Sequence, residues 1–120
     1  MQLLTILGST GSIGVSTLDV VARNPDRFAV AALTARSRID VLFEQCRRFR
    51  PGHAAVLEPA DAEQLRKQLR EAGVETEVHC GVSALEKLAA LPEVSTVMAA
   101  IVGIAGLRAT LAAAHAGKRI

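Results

Sequence analysis

LTILGSTGSIGVSTLDVV, residues 4–21, carries three glycines three positions apart, Gly8, Gly11 and Gly14, between an apolar run and a helical pattern. A short apolar run that breaks at glycine and passes straight into a helix is the start of a parallel α/β layer, so this stretch sets the expectation for the whole fold. LLTIL (residues 3–7) has the length of a buried strand. From Ser12 onward Ile13, Thr17, Val20 and Val21 recur at helical spacing and are expected to form the inward face. The helix should stop at Asn24-Pro25, because proline lacks an amide donor and pushes the residue before it out of the α region.

The same alternation continues along the chain. FAVAAL (28–33) reads as a second strand. A helix over 37–49 comes next, with Ile39, Leu42, Phe43, Cys46 and Phe49 inward and Ser37 with Asp40 as a capping box. HAAVL (53–57) is a third strand, and 59–72 a more exposed helix in which Glu63 and Lys67 can pair and Gly73 supplies the stop. TEVHC (76–80) fits a short edge strand. Ser83 with Glu86 should open the next helix, which ends before Pro92. VSTVMAAIV (94–102) is the most apolar strand and is expected to be central. A helix over 107–116 ends at Gly117, and KRI (118–120) looks like the opening of one more strand. This order predicts an α/β fold, a Rossmann-like doubly wound parallel sheet with right-handed crossovers, broken off before its last strands. Residues 1–120 accordingly read as one domain, cut where a further strand should be starting.

Half of the 120 residues are hydrophobic, enough to fill a core, and with 2% aromatics and no Trp or Tyr that core must be aliphatic. The scarcity of aromatics excludes readers of nucleic acid that stack bases on rings. A net charge of +2 from scattered basic residues implies neither a nucleic-acid nor a membrane partner. Cys46 and Cys80 lack metal or redox spacing, which suits a reduced, cytoplasmic setting. The apolar, uncharged stretch 94–107 is interrupted by Gly103 and Gly106 and falls short of the roughly 20 residues that span a bilayer.

The glycine loop suits a phosphate. Gly8 can adopt angles other residues avoid, Gly11 lacks the Cβ that would keep a phosphate from its backbone, and Gly14 lets helix and strand pack closely. The amides of Ser12 and Ile13 then face outward at the positive end of the helix dipole, and the hydroxyls of Thr10 and Ser12 add donors. A glycine-rich turn that binds nothing would share the pattern. The end of the second strand selects the dinucleotide. A site for NAD wants a carboxylate there for the ribose hydroxyl, but TARSR (34–38) offers none before Asp40. Arg36 and Arg38 would attract a 2′-phosphate and Ser37 could hydrogen-bond to it, which favours NADP; the alternative is a solvated, capped helix start. Cys46 and Cys80 read as structural thiols. His53, His79 and His115 lack metal-ligand spacing, and Gly103 and Gly106 either border the cofactor or simply turn the chain. No catalytic acid, base or metal cluster is expected among these residues.

LTILGSTGSIGVSTLDVV with NPDRFAV (24–30) and VMAAIVGIAGLRATLAAAHAGK (97–118) resembles the 1-deoxy-D-xylulose 5-phosphate reductoisomerase family over essentially the whole chain. The resemblance implies NADPH-dependent conversion of that sugar phosphate to 2-C-methyl-D-erythritol 4-phosphate in non-mevalonate isoprenoid synthesis. It also implies assistance by Mg²⁺ or Mn²⁺, and a cytoplasmic homodimer. It places the cofactor loop on Thr10, Gly11, Ser12 and Ile13 and the 2′-phosphate contacts on Arg36, Ser37 and Arg38. Many relatives carry Gly-Lys-Asn at those last three positions, so the positive charge is kept but moved, and either arginine can be the one that meets the phosphate. The metal ligands and the residues for the substrate phosphate would lie beyond Ile120, so the resemblance implies that residues 1–120 are the N-terminal dinucleotide-binding domain of a longer enzyme. The chain alone is then expected to turn nothing over, to bind NADPH weakly and to self-associate. Two other readings are a reductase of the aspartate-semialdehyde dehydrogenase type, which needs a nucleophilic cysteine downstream, and a non-catalytic NADPH sensor.

Overall fold

The computed structural model describes residues 1–99 and 104–120. Strands β1 (Gln2–Leu7), β2 (Phe28–Ala35), β3 (His53–Val56), β4 (Glu77–Cys80) and β5 (Thr96–Ala99) alternate with helices α1 (Ser12–Arg23), α2 (Ile39–Phe49), α3 (Pro59–Glu71), α4 (Val82–Ala89) and α5 (Ile104–His115). The strands form one sheet in the order β4-β3-β2-β1-β5, and every neighbouring pair is parallel. The chain steps outward from β1 to β4 and then returns to the far side of β1 for β5. The order therefore reverses between β1 and β5, directly beside the glycine loop.

Helices lie on both faces because the inner strands β1, β2 and β3 bury both of their sides. Leu18 and Val21 of α1, Leu42 and Cys46 of α2, and Leu65 and Leu69 of α3 share one core. Leu85 and Leu88 of α4 and Ala109 and Ala113 of α5 share the other. A register shift in the β1–β2 ladder pairs Leu4 with Val30 but Thr5 with Ala32. The residue skipped, Ala31, joins Ala32 in the α4–α5 core, while Val30 and Leu33 stay in the other. A bulge of this kind re-aims the residues beyond it, and here it sets Thr34 opposite Leu7 at the mouth of the glycine loop.

Several boundaries fall where the sequence puts them. Asn24 is the C-cap of α1, Pro59 opens α3, Gly73 and Gly117 take positive φ just past their helices, and β4 is an edge strand. Other expectations change. α1 buries Gly14, Leu18 and Val21, whereas Ile13 and Val20 are 60% and 52% exposed. The helix is turned about its axis because the Gly14 side is pressed against the loop before it, and positions 18 and 21 succeed Gly14 at helical spacing. Ser37 does not cap α2: the N-cap is Arg38, with no side-chain hydrogen bond. Ser83 likewise falls inside α4, whose N-cap is Gly81 at φ 100°. Glu63 contacts Arg66, not Lys67, at 4.0 Å.

β5 is not central among the described strands but lies at the sheet's edge, since β2 occupies the other side of β1. Its outer side is met by Arg119: Val97 N–H donates to the Arg119 carbonyl (2.7 Å) and Arg119 N–H to that of Ser95 (3.1 Å). The strand expected from KRI thus begins as an isolated bridge. Residues 100–102 of the expected strand, and Gly103, lie outside the described residues; Gly106 falls within α5. Cys46 is fully buried, and burial pushes its thiol up to about 12, which keeps it protonated and inert. Among the described residues no helix is long and apolar enough to cross a membrane.

Candidate functional site

β1 delivers the chain to Gly8, whose φ of 80° lies in the left-handed region and turns the backbone sharply. The turn is clamped from two sides. Gly8 N–H donates to the carbonyl (3.0 Å) and hydroxyl (3.1 Å) of Thr34, and Ser9 N–H donates to the same carbonyl (2.8 Å). From α2, Gln45 accepts from the Ser9 hydroxyl through Oε1 (2.7 Å) and donates through Nε2 to the Ser9 carbonyl (2.8 Å). Ser9 is fully buried and Gln45 nearly so. Gln45 is absent from the residues expected at the site, although a polar residue beside Leu42 and Cys46 on a buried helix face is a signal of that kind. We expect Gln45→Leu to strand both Ser9 groups and lower stability by about 1–3 kcal/mol. Chemical denaturation compared with wild type measures this, and an unchanged midpoint would show that the clamp contributes nothing.

The loop then passes over the first turn of α1. A Cβ on Gly14 would lie 2.4 Å from the Gly8 carbonyl oxygen, 2.6 Å from the Ser9 Cα and 2.7 Å from the Ser9 carbonyl carbon, all backbone atoms that have nowhere to go. At Gly11 the nearest atom to such a Cβ is 3.7 Å away. The protein itself therefore demands glycine at Gly14 but not at Gly11, where only an occupant of the space outside would.

Gly11 is the N-cap of α1, without a side-chain hydrogen bond, and the first turn contains no acidic residue. The first bond into the helix runs from Val15 N–H to the Gly11 carbonyl (2.9 Å). The amides of Ser12, Ile13 and Gly14 precede it and, by helix geometry, have no acceptor within α1. Nothing in the first turn neutralises the positive pole, so this end of α1 favours an anion. It sits at the carboxyl ends of the strands where the strand order reverses, which is where open parallel sheets hold ligands.

Thr10, Gly11, Ser12, Val15 and Ser16 on one rim face Ser37 and Arg38 on the other across a cleft of about 590 Å³. The Thr10 side chain is largely buried and its hydroxyl lies 3.4 Å from the Ser37 carbonyl, so it ties the two rims together instead of offering a free donor. Arg38 has φ 56° and ψ 56°, a left-handed backbone uncommon outside glycine and asparagine. Of the seven residues expected at a cofactor site, five line this cleft. Ile13 lies in an adjoining hollow of about 380 Å³ with Ser16, Val20 and Met98. Arg36 is exposed and lines neither.

The parallel sheet covered on both faces, with its glycine turn at the switch point, defines a Rossmann-like α/β domain. The chain belongs to the 1-deoxy-D-xylulose 5-phosphate reductoisomerase family, whose model matches residues 4–120. It is 64% identical over 117 residues to the reductoisomerase of Nitrosospira multiformis, covering 98% of this chain and 30% of that protein. With that of Methylococcus capsulatus it shares 60% identity over 121 aligned positions, 100% of this chain and 31% of the relative. A crystal structure of DOX-P reductoisomerase in complex with NADPH, fosmidomycin and magnesium matches with a TM-score of 0.94 at 44% identity, over 99% of this chain and 29% of the other. The Zymomonas mobilis enzyme in complex with NADPH matches at 0.90 and 42% identity, over 98% and 30%. The chain spans about 30% of the length of these curated relatives.

Proposed function

We propose that residues 1–120 are the N-terminal NADPH-binding domain of an enzyme that converts 1-deoxy-D-xylulose 5-phosphate to 2-C-methyl-D-erythritol 4-phosphate. The observation that supports this most is the uncapped, acid-free start of α1 facing Arg38 and Ser37 across one cleft. The amides of Ser12, Ile13 and Gly14 hold the pyrophosphate; Thr10 and Gly11 shape the wall it lies on. Arg38 and Ser37 hold the 2′-phosphate, and Arg36, outside the cleft, contributes only general attraction. From that rim the dinucleotide runs across the switch point, past Ile13, toward β5. NADPH supplies the hydride; this chain's part is to bind and orient it.

The residues that hold the sugar phosphate and the Mg²⁺ or Mn²⁺ ion belong to other parts of the enzyme, which works as a cytoplasmic homodimer without nucleic-acid or membrane partners. The test is NADPH oxidation by the full-length protein. It should require both 1-deoxy-D-xylulose 5-phosphate and a divalent cation, and fosmidomycin should stop it. NADPH binding without any substrate-dependent oxidation would instead establish a sensor. Oxidation abolished by thiol alkylation and indifferent to the cation would establish the cysteine-dependent reductase.

A further inference from the structure

At the other end of the sheet, away from the glycine loop, β3 and the edge strand β4 begin with His53 and Glu77, which are paired in register. Side chains alternate along a strand, so Glu77 and His79 share a face, and His53 stands on the same face of the neighbouring strand. We propose that His53, Glu77 and His79 form a binding site for a divalent transition-metal ion of the zinc class, which clips the edge strand to the sheet.

The three donor atoms converge. His53 Nδ1 and His79 Nε2 are 3.0 Å apart, and Glu77 Oε2 lies 3.6 Å from the first and 3.9 Å from the second. The carboxylate is too far from either ring for a hydrogen bond, yet it faces both of the nitrogens that face each other. With metal–ligand bonds of about 2.0–2.2 Å in a tetrahedron, neighbouring donors stand about 3.3–3.5 Å apart. The observed triangle brackets that spacing, so small side-chain rotations suffice to close it. The two imidazoles are held by packing, with side chains 25% and 15% exposed, and Glu77, at 67%, is the ligand free to adjust.

Two nitrogens and one oxygen suit Zn²⁺, Co²⁺ or Ni²⁺ better than Mg²⁺, which prefers oxygen and water. A fourth position is left for water. The site does not share a residue with the proposed cofactor cleft, so the two readings fail independently.

The experiment uses untagged, metal-stripped full-length protein titrated with Co²⁺, with Zn²⁺ as competitor. Wild type should develop the visible absorption of nitrogen-ligated tetrahedral Co²⁺ at one equivalent, displaced by Zn²⁺, and its thermal midpoint should rise with Zn²⁺. His79→Ala should lose both effects. Glu77→Gln, an exposed change that leaves packing intact, should weaken Co²⁺ binding at least tenfold, and NADPH affinity should not change in either variant. No such band in wild type, or a band of equal strength and affinity in both variants, would overturn the proposal.

Discussion

Gly14→Ala is expected to lower the protein's stability by about 1–3 kcal/mol or more, as overpacking does, and to weaken NADPH binding at least tenfold. Two effects compete. Within a helix, replacing glycine by alanine ordinarily stabilises by about 1 kcal/mol through backbone entropy and propensity. Against that, the new methyl carbon would stand 2.4–2.7 Å from three backbone atoms of Gly8 and Ser9. Those atoms cannot retreat, because Thr34 and Gln45 hold both residues from behind. The helix must move instead, and it carries the amides of Ser12 and Ile13 with it. Denaturation and NADPH titration of the full-length variant check both parts. A variant more stable than wild type would mean that propensity wins and that helix and loop are not in close contact.

Arg38→Ala is expected to weaken NADPH binding by about tenfold or more while leaving NADH nearly unchanged. A charge-assisted hydrogen bond contributes about 1.5–3 kcal/mol, and only NADPH carries the phosphate that would lose it. Alanine in a left-handed backbone is no worse placed than arginine, so the fold should tolerate the change. Arg36→Ala, at a position outside the cleft, should have little effect on either nucleotide. Parallel fluorescence titrations decide the matter: equal losses for NADPH and NADH, or a larger loss at Arg36, would overturn the assignment.

Much of the fold is legible in the sequence because it is encoded locally. Glycine, proline and the switch between strand and helix periods mark nearly every element end, as at Asn24-Pro25, Pro59 and Gly73. The rotation of α1 is not, because Ile13, Val20 and Val21 satisfy a helical period as well as Gly14, Leu18 and Val21 do. The close approach at Gly14 selects between the two faces. The cap of α2 escapes for a related reason: Ser37 has the right chemistry, but the chain reaches α2 through a left-handed Arg38, which puts the cap one residue later. β5 reads as central from its apolarity, yet its place depends on which side of β1 the returning chain takes.

The sequence alone determined the alternation of strands and helices, the aliphatic core and the loop poised for an anion, since each arises from residues within a turn or two of one another. Only the tertiary structure decided that Gln45 of α2 locks Ser9, that Arg38 and not Arg36 borders the cleft, and that His53 and His79 come within 3.0 Å. Residues far apart along the chain meet only once strands have paired in register and helices have settled on the sheet, and no local pattern records that outcome.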